Sequence, residues 1–441
     1  MHRCMTEWAE EYGPIYHVRF LMIHYIVISD PVLWTHVMRS KAVDKYRFIQ
    51  VYMEPMLCGK NVLTSPTDAH WRMAMDVIGL VGFNKDMGAL DHHCAAAGSK
   101  RVEDDHTATL LNSTHEITER TKELLRDLKF WKQGTRDGIA LLARFRGIID
   151  SLLRHIRQKE VAKGSFADLL LSTFKHVTPE QQADKLMLPE AATLFFAGVD
   201  TSGHAATWAL YLLLQHPEVE AKVAQELDAL ELLVTTERPT PRPLQAADLA
   251  KLPYLSCCIK ETLRLYPAVG IGHFRVNFLQ DLTLAGQLHI PKGGAIWLAS
   301  HALHNASFNW DDPDTFLPER WEQPGTEFAL PEKLKLSKEW YEGLHANLST
   351  SGQADDSPGQ DGGRPKRYMP FAEGQRDCLG QNLARTFLLA TLATLLSRLT
   401  FSLGAKMGGP EGVRASEQYT IVTGLKDGMF MHAKSRSTAA G

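Results

Sequence analysis

The segment MLPEAATLFFAGVDTSGHAATWALYLLLQHPE, residues 187–218, constrains the fold more than any other stretch of the sequence. It is the most hydrophobic long segment of the chain, and as a helix it must be buried in a sizeable core. Pro189 lies near its beginning and Pro217 past its end, and Gly198 is expected to interrupt it. A chain of 441 residues is long enough to bury such a helix. Elsewhere IYHVRF and HYIVIS predict a strand pair near the start, and LTLAGQLHIPKGGAIWLA predicts a second strand-rich patch. From Pro31 onward helical patterns dominate. DVIGLVGFN is helix-like, HTATLLNSTHEITERTKELLRDLKFWKQG and DGIALLARFRGIIDSLLRHIRQKEVAKG are amphipathic with a stop at Gly164, and LARTFLLATLATLLSRL is an apolar helix. The polar tract STSGQADDSPGQDGGRP, inside an insert spanning 325–366, has too little apolar surface to fold and is expected to be a disordered surface segment. The fold class is therefore mainly α with small β-sheets, as a single domain over 1–441.

Composition excludes some functions. A net charge of −3 argues against a nucleic-acid binder driven by overall charge. The six cysteines, Cys4, Cys58, Cys94, Cys257, Cys258 and Cys378, are scattered and form no C-x-x-C pair, which reads as a reduced compartment rather than a disulfide framework. Adjacent Cys257 and Cys258 read as core or surface thiols. His92-His93-Cys94 lacks the further spaced ligands of a metal site. No stretch approaches the roughly 18 apolar residues of a membrane span. The start, MHRCMTEWAEEYG, reads as neither signal peptide nor anchor. The compartment is left open.

The stretch FAEGQRDCLG places two glycines around Cys378. Thiolate forms where positive charge and helix N-termini lower the thiol pKa, and Cys378 has Arg376 before it and an apolar helix after it. Glycine allows tight turns and close backbone approach, so a flat cofactor could lie over the sulfur. A buried structural cysteine beside flexible turns is the bland alternative. The full pattern is Phe371-x-x-Gly374-x-Arg376-x-Cys378-x-Gly380, for which composition alone gives on the order of 10⁻⁴ chance matches in a chain this long.

This pattern closely resembles the haem-binding loop of the cytochrome P-450 superfamily, the haem-thiolate monooxygenases. The resemblance implies haem b (iron protoporphyrin IX), with Cys378 as the fifth ligand of iron and Phe371, Gly374 and Arg376 in the cofactor loop. Other segments follow in the family's order. Ala197-Gly198-Val199-Asp200-Thr201-Ser202 resembles the oxygen-binding groove of the long central helix, where an acid beside an alcohol can relay protons. Read alone, the segment favours a helix kink with a solvated Asp. Glu261 and Arg264, at i and i+3, resemble a pair that joins a later arginine, here Arg320 of Pro318-Glu319-Arg320-Trp321, in a buried three-way ion pair. The same E-x-x-R spacing at Glu123/Arg126, Glu373/Arg376 and Glu411/Arg414 reads as surface pairing or coincidence. Arg275 and Arg376 match propionate-binding positions, and both suit a carboxylate. Trp71-Arg72 resembles the start of the helix that crosses the haem edge, although its usual second arginine is replaced by Met75. DGMFMHAKSR resembles the family's terminal strands.

Two departures accompany the resemblance. The N-terminal anchor and proline-rich hinge of most eukaryotic members are not found. Trp71-Arg72 is followed almost at once by MDVIGLVGFNKDMGA, as though one haem-flanking helix and the next were missing. The expected activity is insertion of one oxygen atom from O2 into a small apolar organic substrate, with Asp200 and Thr201 delivering protons. The chain has no G-x-G-x-x-G in strand–helix context and no Walker sequence, so electrons are expected from an NADPH-dependent reductase or a ferredoxin. Three alternatives stay open: a haem-thiolate isomerase or dehydratase, a catalytically impaired family remnant, and a non-haem helical scaffold. Membrane association is left open, and no nucleic-acid partner is expected.

Overall fold

The computed structural model describes residues 2–20, 23–40, 43–45, 134–158, 161, 163, 165–175, 180–277, 281–284, 288–328, 365–374, 377–419, 422–426 and 428–436. Trp71, Arg72, Met75, Arg376, the His92-His93-Cys94 cluster, the join after Arg72 and most of the polar insert lie outside them. In chain order the elements are α1 (His2–Tyr12), β1 (Ile15–Phe20), β2 (Ile23–Ile28), α2 (Pro31–Arg39), β3 (Val43–Lys45), α3 (Gly134–Gln158), α4 (Phe166–Phe174), α5 (Glu180–Gln215), α6 (Pro217–Ala229), α7 (Ala246–Leu249) and α8 (Pro253–Leu265). Then come β4 (His273–Asn277), β5 (Leu282–Leu284), β6 (Leu288–Ile290), β7 (Ala295–Leu298), α9 (Ser300–Asn305), a 3-10 turn (Pro318–Glu322), α10 (Gln381–Arg398), β8 (Leu399–Leu403), α11 (Gly409–Ser416), β9 (Glu417–Tyr419), β10 (Thr423–Leu425) and β11 (Met431–Ser435). The chain divides into two compact units: Met1–Ile49 with Trp208–Leu403 and His432–Gly441, and Gln50–Thr207 with Gly404–Met431.

The first unit is built on a five-stranded sheet in the order β1-β2-β7-β4-β3. β2 and β7 run parallel, with Tyr25 opposite Ala295 and Ile28 opposite Leu298, and the other neighbours are antiparallel. Side chains alternate across a strand, so β2 and β7 each feed two cores. Tyr25, Val27, Ala295 and Trp297 pack with Met5 and Ala9 of α1. Ile28, Ile296 and Leu298 pack on the other face with Val32, Leu33, Trp34 and Val37 of α2. Strands covered on both faces read as apolar runs, as HYIVIS and AIWLA do.

Helix α2 starts where Pro31 follows Asp30, whose carboxylate accepts from the Val32 and Leu33 amides at 2.9 Å each. α3 is described as far as Gln158, with Ile149, Leu152, Leu153 and Ile156 as its buried stripe, and the expected stop at Gly164 lies outside the described residues. α5 also departs from expectation. It runs unbroken from Glu180 to Gln215, so Gly198 does not interrupt it and Pro189 lies inside it. Among the described residues no helix is long and apolar enough to cross a membrane.

Asp30 yields the first prediction. Burial lifts its carboxyl to about 6, against the downward pull of the Leu33 and Val32 amides. A folded-state pKa above the unfolded one means its contribution is full at low pH and is lost as pH rises through 6. Asp30→Asn keeps the acceptor without the charge and should melt above wild type at pH 7.5, with the gain vanishing near pH 4. Asp30→Ala loses the cap and should cost about 1 kcal/mol in urea unfolding at the lower pH.

Candidate functional site

The Cys378 loop closes on itself before α10 begins. The Cys378 amide donates to the Phe371 carbonyl at 2.8 Å, the Asp377 amide to Gly374 at 3.2 Å, and the Gln381 amide to the Cys378 carbonyl at 3.3 Å. Gly374 takes φ +76, and a Cβ there would collide with the Met38 carbonyl oxygen. That glycine is required by backbone strain and by the close approach of α2. Gly380 is different. Its φ of −87 suits any residue, and what a Cβ there would meet is the Cys378 sulfur, at 4.0 Å. A side chain at position 380 would therefore flank the sulfur itself. As residues, Cys378 is exposed and Leu379 beside it is 93% exposed, so the loop lies on the surface of its unit. The Arg385 guanidinium lies 5.0 Å from the Phe371 ring centroid.

The expected lowering of the thiol pKa is not produced by the described surroundings. Atoms packed around the sulfur withhold water and push the Cys378 thiol up; the Gly380 amide pulls down, and the Asp377 carboxylate adds to the rise.

Arg275 lies on β4 opposite Lys45 and Ile296, with its side chain buried. Its guanidinium donates to the Phe274 carbonyl at 3.2 Å and to the Met38 sulfur at 3.5 Å. Met38 thus touches Arg275 through its sulfur and the Cys378 loop through its carbonyl. The end of α2 is where these two predicted cofactor positions come together. Glu373, in the same loop, pairs with Arg39 of α2 and with Lys366 at 3.4 Å.

In the second unit, α5 carries Asp200 and Thr201. The Thr201 hydroxyl donates to the Ala197 carbonyl at 2.7 Å. Ala197 is exposed, Gly198 and Thr201 are half-buried, and Asp200 is fully buried. A solvated Asp is therefore ruled out. His204, one turn on, faces it with Nδ1 3.3 Å from Asp200 Oδ1. Burial pulls the imidazole down, but the Asp200 charge and hydrogen bonds outweigh it and leave the His204 pKa raised. Sequence reasoning missed His204; the i, i+4 spacing from Asp200 was its signal.

The three-way ion pair forms as expected in the first unit. Arg264 grips Glu261 with two parallel bonds, Nε to Oε2 at 3.0 Å and Nη2 to Oε1 at 2.8 Å. Arg320 Nε adds a bond to Oε1 at 2.9 Å. Two donors were not foreseen, the Trp321 indole N–H at 2.8 Å and the Leu317 amide at 3.2 Å. Arg264 spends its other protons on the carbonyls of His304, Pro313 and Thr315, at 3.0, 2.8 and 3.1 Å. Cys257 and Cys258, on the same helix, are buried thiols. Among the described residues no three His, Cys, Asp or Glu side chains converge as a metal site.

Residues 59–411 match the sequence profile described as Cytochrome P450. The chain belongs to the cytochrome P450 family. It is 27% identical over 340 residues to human cytochrome P450 4F2, covering 72% of this chain and 56% of that protein. It is 28% identical over 294 residues to mouse leukotriene-B4 omega-hydroxylase 3, covering 67% and 46%, and 34% identical over 223 residues to mouse cytochrome P450 4V2, covering 50% and 34%. The chain spans about half the length, or less, of these curated relatives. A zebra fish cytochrome P450 solved with abiraterone shares the fold, with a TM-score of 0.68 at 19% identity over 99% of both chains. The mainly α architecture with small sheets is thus the cytochrome P450 fold.

The ion pair gives the second prediction. Removing one partner of a satisfied buried pair strands the other, so Glu261→Ala should cost about 3–5 kcal/mol in urea unfolding. Arg264→Lys should also lose several kcal/mol, because a point-like ammonium cannot reach the two carboxylate oxygens and three carbonyls together.

Proposed function

We propose that the chain is a haem-thiolate monooxygenase that inserts one oxygen atom from O2 into an apolar organic substrate. The observation that carries this reading is the loop around the exposed residue Cys378, whose sulfur is reached by the Gly380 amide and flanked by the space a Gly380 side chain would fill. These residues fit a flat prosthetic group held by sulfur. Haem, when bound, supplies the iron at which dioxygen is activated, and thiolate ligation favours O–O cleavage. Cys378 would be the iron ligand, with Phe371 and Gly374 shaping its loop. Arg275 and Arg376, with Trp71 and Arg72, would hold the propionates. Haem b is the proposed form.

Proton handling falls to α5. Thr201 presents a hydroxyl on the half-buried side of the helix, and Asp200 holds an acid behind it. The hydroxyl would pass a proton outward and Asp200 would replace it. That pair supports a monooxygenase over an isomerase or dehydratase, which needs no proton delivery to dioxygen. Electrons would come from an NADPH-dependent reductase or a ferredoxin. The relative named as a leukotriene-B4 omega-hydroxylase supports an aliphatic chain as the substrate's reacting part.

Two expectations test this. The reduced chain treated with carbon monoxide should show the red-shifted Soret band of thiolate ligation. Cys378→Ala should abolish it while Cys257→Ala and Cys258→Ala keep it; a normal band in Cys378→Ala would refute the ligand assignment. Thr201→Ala and Asp200→Asn should still bind haem and substrate, yet divert reducing equivalents to peroxide. Product per NADPH should fall by about 10²-fold, within the usual range for lost general acid–base assistance. Unchanged coupling in both variants would refute the proton assignment.

A further inference from the structure

The His204 ring is clamped from two sides. On α5 its Nδ1 lies 3.0 Å from the Asp200 carbonyl and 3.3 Å from Asp200 Oδ1, so one N–H forks between the two oxygens. Both side chains are at least nine-tenths buried, with 5% and 0% exposure. On the opposite edge lies Gly424 of β10. A Cβ at position 424 would collide with His204 Nε2 and lie 2.6 Å from Cδ2. Gly424 is not among the residues of positive φ, so its backbone does not require glycine. What requires it is the imidazole.

We propose that His204 is the positioning residue of the Asp200–Thr201 pair, fixing the Asp200 carboxylate through its Nδ1–H, and that Gly424 is the seat that holds its ring. The inference rests on the reading that Asp200 and Thr201 handle protons. Its physical basis is geometric. A carboxylate can turn about its side-chain bonds, and an acid that hands on a proton works only at a fixed distance and angle from its acceptor. The imidazole, pinned between strand and helix, removes that freedom. It also sets a cation-capable ring beside a buried acid, which offsets the cost of burying the charge. Asp200 is the charged group facing the ring from its own helix, and β10 presents backbone alone at Gly424.

The test uses the full chain in five variants, beside Thr201→Ala and Asp200→Asn. His204→Leu keeps bulk and removes the donor; His204→Asn retains an amide N–H near the Nδ1 position. Melting temperature, haem content and product per NADPH with a reductase are measured for both. We expect His204→Leu to load haem but to lose coupling by about tenfold or more, as a misplaced catalytic group does. His204→Asn should recover most of it. A purely structural histidine would lower melting equally in both variants and leave coupling alone, which would overturn the proposal. Gly424→Ala should lower the melting temperature, and His204→Ala in the same chain should restore it to that of His204→Ala alone. Additive losses would overturn the seat, and this cycle decides even if His204→Leu fails to load haem. If Thr201→Ala and Asp200→Asn both couple normally, the proton reading itself fails and the inference falls with it. If those two uncouple while His204→Leu does not, only the inference fails.

Discussion

The buried carboxylate of Glu261 is the constraint on which the cysteine-bearing unit depends. An ion without water must find all its partners inside the protein. Glu261 and Arg264 are both fully buried, and beyond the two bonds between them, the bonds that satisfy them tie α8 to other stretches of chain. Arg320, Trp321 and Leu317 come from the 3-10 turn and its approach, and the carbonyls that take the remaining Arg264 protons come from α9 and the loop after it. Around this ion pair Trp310 meets three guanidiniums, Arg264 at 5.2 Å, Arg320 at 5.9 Å and Arg367 at 4.2 Å. Arg367 in turn donates to the Asn309 and Thr326 carbonyls at 2.8 and 2.9 Å. Planar cations stacked on an aromatic face keep their edges available for hydrogen bonds, which lysine could not do.

The same network reaches the cysteine loop through one histidine. His304 gives its carbonyl to Arg264 and its Nε2 to the Met369 amide at 2.9 Å. Burial, helped by the charges of Arg264 and His273, drops the His304 pKa to about 3. The ring is therefore neutral and can accept at Nε2 across the ordinary pH range. Two residues beyond Met369, the Phe371 carbonyl takes the Cys378 amide. The placement of the sulfur is thus set by a path that runs from Glu261 through Arg264, His304 and Met369. α2 braces the loop from the other side through Met38 and the Arg39–Glu373 pair.

Local pattern and pairwise chemistry were legible in the sequence where the partner lay in a recognisable motif. The β1–β2 hairpin, β5 to β7 and α10 follow from periodicity, and the Glu261–Arg264–Arg320 set follows from PERW standing after ETLR. Contacts between distant segments with no shared motif were not legible. Among the described residues Glu373 pairs with Arg39, far away, and with Lys366, seven residues back. Gly374 needs its missing side chain because of Met38, which no local signal announces. The upward push on the Cys378 thiol was not legible because sequence does not show how much water packing excludes. His204 was overlooked because its role depends on Gly424, more than two hundred positions later.

A helix buried on most sides poses one further problem, which α5 solves along its own backbone. Its polar side chains cannot rely on solvent, so they bond to carbonyls one turn back. Thr201 reaches Ala197 at 2.7 Å, His204 reaches Asp200 at 3.0 Å and Thr207 reaches Gly203 at 2.9 Å. Each such bond hides a donor at little cost and tends to bend the helix locally. For Thr207, which is buried, the bond is an end in itself. Thr201 is only half-buried, beside an exposed Ala197. There the bond fixes a resting state in which the hydroxyl proton points into the helix. To pass that proton outward the side chain must turn away from the Ala197 carbonyl, which keeps the main-chain amide of its own helix as partner. On the proposed proton role of Thr201, the back-bond that makes burial tolerable along the rest of α5 is there the bond whose release would begin proton transfer.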